Sequence, residues 1–374
     1  MTAYRGLTWD HPRGTNALRA AAQSFSADGP DTLTWDVHPL EGFESAPIET
    51  LAAAYDLIVL DHPHLGDALV HDCLRPLDDL FGPDELDAWA DASVGPSFTS
   101  YTLAGRTWAL PLDAATQVSA RRADILPTAP TTWAETIELA RDSGRVAPSL
   151  AGPHAFLTLC SIARGLDAAE PVALFARPAL QEAFAILRAL AAHAPTWALE
   201  LNPIGLLERM SASDDLVYVP LVFGYVNYAT GPRPVAFGAP PSGGCRSGST
   251  LGGTGIALTC RTEPSDALLA HLRWLMSAQA QRDFIPDHDG QPSARAFWTS
   301  DAVDAAAGGF YRDTLATIED AWVRPRFPGF VQFQSEASAL LRDAIAHADD
   351  ADATIDRLQQ LFTAAQRAAE RTAA

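Results

Sequence analysis

There is no lysine in this chain; all 26 basic positions are arginine. That removes the amine needed for Schiff-base chemistry and the phosphate-binding lysine of a P-loop. Positive charge of any kind is scarce. Acidic residues number 46, for a formal net charge of −20. A surface this acidic repels nucleic-acid phosphates and anionic lipid alike, so no nucleic-acid partner is expected. No apolar run approaches the roughly 18 residues that cross a bilayer, so no membrane insertion is expected. The four cysteines, Cys73, Cys160, Cys245 and Cys260, show no metal-ligand spacing. Free thiols are the expected state, and a Cys245–Cys260 pair across two strands is the alternative. GxSxG, HExxH and CxxC are all missing, and with them the common hydrolase, zinc-protease and dithiol signatures. Neither a metal nor a cofactor is expected. The N-terminus shows no basic region followed by an apolar core of about 7–15 residues. The expectation is therefore a cytoplasmic protein, monomeric in solution.

What is present is ordinary globular material: 374 residues, 48% hydrophobic, enough for two separate cores. Residues 6–9 read as a strand, 15–25 as an Ala-rich helix and 33–38 as a second strand. Residues 55–61, YDLIVLD, form a continuous apolar run bounded by acids. Such a run marks a parallel strand buried on both faces. Residues 66–73 are helical. Strands alternating with helices point to an α/β fold with a mainly parallel sheet. Residues 101–113 read as a hairpin-like pair with Gly105 at its turn, and Pro111 is expected to end regular structure there. A separate strand is expected over 117–120. Thr132 with Glu135 three residues later is a capping box opening a helix. Further strands are expected over 216–222 and 256–259, separated by a Gly/Pro/Ser-rich loop, with an amphipathic helix over 264–284.

Ligands of open α/β sheets sit outside the carboxyl ends of the strands. The first strand ends at Trp9, which places Asp10, His11 and Arg13 at the cleft mouth. The helix after Gly14 offers free N–H groups and a positive dipole end. Arg13 adds a fork suited to carboxylate or phosphate, and Trp9 a stacking face. The alternative is local: Asp10 caps the turn, His11 is a surface residue and Arg13 pairs with an acid. A second strand-end packet, Asp61, His62 and His64, falls at the same edge. Its histidines read as hydrogen-bonding groups for an oxygen-rich ligand rather than as metal ligands.

Several segments in order resemble the family 1 extracellular solute-binding proteins of ABC transporters, with the periplasmic-binding-protein type II fold. They are YDLIVLDHPHLGDALV from 55, LRPLDDL from 74, YTLAGRTWALPLDAATQVSARRADIL from 101 and TTWAETIELA from 131. LVFGYVNYA from 221, GGTGIAL from 252 with HLRWLMSAQAQ from 271, and RPRFPGF from 324 complete the series. The resemblance implies two α/β lobes with a ligand cleft between them, crossed near 110–113 and 240–253. Residues 1–112 and 253–302 would form the N-terminal lobe, and 113–252 with 303–374 the C-terminal lobe. It implies ligand contacts from Asp113 and Gln117 at the first crossing, from the aromatics Phe223 and Tyr225, and from Gly253 and Thr254 at the return. His288 and Arg326 fall beside the cleft on the same comparison. An ABC permease is the implied partner, although the absent export signal departs from the family. The abundance of His and Arg points to a small anionic ligand, carboxylated or phosphorylated, or a sugar derivative. An enzyme on the same fold is the second reading. His11 or His62 would then be a base oriented by Asp10 or Asp61.

Overall fold

The computed structural model describes residues 1–169, 171 and 174–372. The chain begins with β1 (Ala3–Trp9), α1 (Pro12–Asp28) and β2 (Thr32–His38). The two strands pair in parallel, with Ala3 opposite Thr32 and Trp9 opposite His38. Pro12 starts α1 because its fixed φ suits the first helical position and its missing N–H is not needed there. The apolar side of α1, including Leu18, Ala21 and Ala22, packs down on the sheet. Short α2 (Leu40–Ser45) and α3 (Ile48–Ala54) lead into β3 (Leu57–Leu60), whose four residues are all buried. β3 lies parallel to β1. α4 (Leu65–Val70) and α5 (Pro83–Ala92) follow, then β4 (Thr102–Leu103) and β5 (Arg106–Thr107), joined by a tight turn with Ala104 and Gly105 both at positive φ.

β6 (Leu110–Arg121) is a single strand of 12 residues. Pro111 therefore does not end regular structure, and residues 117–120 are not a separate strand. The proline is accommodated because the register shifts between Pro111 and Asp113, where a missing N–H costs no ladder bond. After β6 come α6 (Trp133–Ser143), α7 (His154–Leu166), α8 (Arg177–Ala191), α9 (Pro203–Ala212), β7 (Tyr218–Phe223), β8 (Ala236–Gly238), β9 (Leu251–Leu258) and α10 (Asp266–Leu275). Shorter helices and two long ones, Phe330–His347 and Ala351–Thr372, close the chain.

The strand order is β2-β1-β3-β9-β6-β7, with β8 also on β6. Parallel pairing holds for β2, β1 and β3; β9 runs antiparallel to β3 and β6, and β6 antiparallel to β7 and β8, so the sheet is mixed and not mainly parallel as expected from the sequence. The fold is two-lobed. One core gathers Trp9, Leu18, Trp35, Leu57, Ile256 and Leu272 around the first strands, α1 and α10. Another gathers Phe156, Phe184, Tyr218, Phe330, Phe333 and Phe362 around α7, α8 and the long terminal helices. β6 and β9 join the two, side by side. β6 pairs with β9 over Leu110–Thr116 and with β7 over Gln117–Arg121, whereas β9 continues from β6 onto β3. Gly253, at φ 82°, leaves no room for a side chain against β6; a Cβ there would lie 2.4 Å from the Asp113 carbonyl. Cys245 donates its thiol to the Leu166 carbonyl at 3.2 Å in the second lobe, while Cys260 follows β9 in the first. The pairing of those two considered from the sequence is not brought about. No helix among the described residues is long and apolar enough to cross a membrane.

Candidate functional site

The carboxyl ends of β1 and β3, the β6–β9 crossing and the residues after β7 converge on one cavity of about 40 Å3. Trp9, the last residue of β1, forms one wall. Its ring is held by Gly14, whose bare Cα leaves the space that a Cβ would take only 2.4 Å from the indole. Phe43 of α2 meets the same ring at 5.4 Å. Phe223 and Tyr225, at and just beyond the end of β7, form the facing wall. Gly252, Gly253 and Thr254 of β9 supply the floor, and Asp61, Glu44 and His154 the polar margin. Glu44 comes from α2 and His154 from the start of α7, and they stand 3.3 Å apart across the opening. A wider vestibule outside them is lined by Asp10, Glu44, His154, Asn202 and Glu208.

The polar atoms around this cavity are unusual in what they lack. Trp9 Nε1, Thr254 Oγ1 and His154 Nδ1 are buried without a hydrogen-bond partner, and His154 Nε2 faces the Glu44 carboxylate at 3.3 Å. A buried polar group left unpaired costs about 1–3 kcal/mol. Three such atoms around one space form a set of donors and acceptors that a bound molecule can satisfy. Tyr225 adds a hydroxyl kept protonated by burial, which pushes its pKa up.

Arg13 does not offer a free anion-binding fork. Its Nε donates to Asp113 Oδ2 at 2.6 Å, its Nη2 to Asp113 Oδ1, and its Nη1 to the Gly224 carbonyl at 2.9 Å. The guanidinium also lies over the Tyr225 ring, 4.4 Å from the centroid. Burial opposes its charge, but the Asp113 carboxylate more than compensates, and the Arg13 pKa is raised. The pair is neutral as a unit, and Asp113 commits both oxygens to it. This is the local alternative noted from the sequence, in which Arg13 pairs with an acid.

The histidines also sit differently from the sequence expectation. His11 caps α1: its Nδ1 accepts the Arg13 backbone N–H at 3.1 Å, and its ring packs edge-on against Tyr225 at 4.8 Å. Burial first, and Arg13 second, lower its pKa to about 4. His62 is fully buried behind the cavity with neither nitrogen bonded, and its pKa lies well below the usual value for the same leading cause. His64 is likewise buried, its pKa lowered chiefly by burial. Neither lines the cavity, so no Asp-oriented base of the expected kind faces it. Asp61 does reach the cavity, tied to Arg324 at 2.9 Å.

Gln117 is buried in the second lobe, accepting from Ser161 at 2.5 Å, and is structural. His288 bonds the Phe284 carbonyl at 2.8 Å, away from the cleft. Arg326 donates to the carbonyls of Thr99, Ser100 and Thr102 at 3.0, 2.9 and 2.8 Å, a backbone clamp rather than a ligand contact. Of the sequence candidates, the structure thus gathers Trp9, Arg13, Asp61, Phe223, Tyr225, Gly253 and Thr254 at the cavity, with Asp10 in the vestibule and Asp113 behind Arg13. Phe43, Glu44 and His154 were missed. The available signal for His154 was a polar aromatic residue opening an apolar helix directly after Gly152-Pro153. Among the described residues, no group of three His, Cys, Asp or Glu side chains is placed to hold a metal ion.

Residues 45–307 match the family model described as bacterial extracellular solute-binding protein. No curated protein matches the chain in sequence. Solved structures of the same fold include a solute-binding protein from Agrobacterium radiobacter K84 in complex with ribitol, 19% identical, with a TM-score of 0.81 over 98% of each chain. Maltose-bound MalE3 of T. maritima is 16% identical, with a TM-score of 0.80 over 97% of this chain and 99% of that one. A solute-binding protein from Agrobacterium vitis S4 with bound D-mannitol is 17% identical, with a TM-score of 0.75 over 99% of each chain.

Proposed function

Because the chain belongs to the bacterial extracellular solute-binding proteins, we propose that its cavity captures a small uncharged polyhydroxylated molecule, a polyol or sugar. The observation that carries this is the set of unpaired buried atoms, Trp9 Nε1, Thr254 Oγ1 and His154 Nδ1, in a cavity lined by aromatic residues. Ligand hydroxyls would satisfy those atoms, while the ligand's C–H faces pack on Trp9, Phe223 and Tyr225. The ribitol, mannitol and maltose in the similar structures support the same class. The anionic ligand suggested by the His and Arg content has less support. Arg13 is neutralised by Asp113, Asp61 is paired with Arg324, and the Glu44 carboxylate at the margin would repel a carboxylate or phosphate.

The contact residues of this reading are Trp9, Asp61, Phe223, Tyr225, Gly253 and Thr254, joined by Glu44 and His154. The lobes divide as 1–112 with 253–302 against 113–252 with 303–374, a division supported by the way β6 and β9 bridge the two cores. An ABC permease, typical of the family, is the partner in this reading. The acid–base enzyme is not favoured, because His11 serves as a helix cap and His62 lies off the cavity.

Calorimetry against ribitol, mannitol, maltose and glucose, beside hexuronates and sugar phosphates, tests the reading. A neutral member should bind and be recovered unchanged by mass spectrometry. Binding confined to the charged compounds, or conversion of the bound molecule, would overturn it.

A further inference from the structure

The isolated antiparallel bridge between Leu74 and Thr259 places two cysteines face to face. The Cys260 N–H donates to the Cys73 carbonyl at 3.0 Å, and the Arg75 N–H to the Leu258 carbonyl at 2.8 Å. Those two bonds flank Leu74 and Thr259, so Cys73 and Cys260 are directly opposed and their side chains project from the same face. Residues opposed across an antiparallel pair have Cα atoms about 4.5–5.5 Å apart, within the range that a disulfide spans. Cys260 is exposed and Cys73 half-buried. The Cys73 thiol makes only a long contact to the Ala68 carbonyl, 3.5 Å, which a rotation about χ1 releases.

We propose that Cys73 and Cys260 form an intramolecular disulfide that staples the returning chain segment to the first lobe. Exposed Cys260 reacts first. Its thiolate attacks one sulfur of a small-molecule disulfide such as oxidised glutathione, giving a mixed disulfide and releasing one glutathione thiol. Cys73, whose thiol is pushed up to about 11 by burial and by its neighbour Cys260, then attacks the Cys260 sulfur as thiolate and releases the second. Two protein thiols are oxidised, one glutathione disulfide is reduced, and the two protons leave on the released thiols. The staple lies beyond the start of β3, at the opposite end of that strand from Asp61. It therefore ties two distant stretches of one lobe without touching the cavity. Cys245, exposed and in the other lobe, supplies an internal comparison.

The test is incubation of the full chain with oxidised glutathione, followed by non-reducing peptide mapping. A Cys73–Cys260 linked peptide, two hydrogens lighter than its parts, is expected, with the unfolding temperature raised and returned by reductant. Cys73→Ser should instead retain glutathione on Cys260, as Cys245 does in both proteins. Persistent glutathione on Cys260 of the unsubstituted chain, two unmodified thiols, or a link from Cys260 to Cys245 would each overturn the proposal.

Discussion

Arg13 and Asp113 each keep only 4% of their side-chain surface exposed, and that burial sets the consequence of losing either one. Arg13→Ala leaves a carboxylate without its partner in a dry site, which costs about 3–5 kcal/mol. Urea unfolding should show this loss of stability in the absence of any ligand. Replacing both partners, Arg13→Met with Asp113→Leu, should restore much of it. Thr254→Val removes one unpaired hydroxyl at nearly constant volume. It should leave stability unchanged or slightly higher, and weaken sugar or polyol binding by roughly 2- to 10-fold in calorimetry, the value of about 0.5–1.5 kcal/mol for one hydrogen bond. The residues that could be read from the sequence were those whose place follows from topology. Trp9 and Asp61 end strands of a parallel array, so their edge is fixed once the strands are recognised. The partner of Arg13 was not legible, because Asp113 lies on another element and no local pattern links them. Glu44 and His154 were hidden for the same reason: they lie on α2 and α7, far apart along the chain, and only the fold makes them neighbours.

At the scale of elements, α6 shows what local chemistry can specify alone. The Thr132 hydroxyl accepts the Glu135 N–H at 3.2 Å, and the Glu135 carboxylate accepts the Thr132 N–H at 3.2 Å, the reciprocal pair expected from the sequence. Gly144, at φ 62°, ends the helix. Thr132→Ala should lower stability by about 1 kcal/mol, read as a shift of the urea midpoint without change of slope. β6 shows the limit of the same method. Proline argued for a break, yet the strand runs through Pro111 because a register shift absorbs the missing donor. That tolerance depends on β9 lying alongside, a segment far along the chain, so nothing within residues 101–121 announces it.

For the whole molecule, buried histidines make the folded state sensitive to acid. Burial holds His11 and His271 at about 4, against 6.5 for the free side chain. The folded chain therefore binds fewer protons than the unfolded one between those values, and stability falls as pH drops from 6.5 towards 4. Each group contributes on the order of 3 kcal/mol to that fall. His62 and His64 are lowered too and act in the same direction. Melting curves across this window should show the decline, and His271→Leu should flatten part of it. The order in which the strands assemble carries a different consequence. Leu57–Leu60 are fully buried in a strand whose outer edge is closed by β9, pairing Leu57 with Leu258 and Leu60 with Gly255. During synthesis on the ribosome, β1, β2 and β3 emerge early and then wait, while residues 61–250 are made, for the neighbour that closes their edge. A nascent chain halted before residue 251 should thus expose that apolar edge to chaperones and proteases, and a full-length one should not.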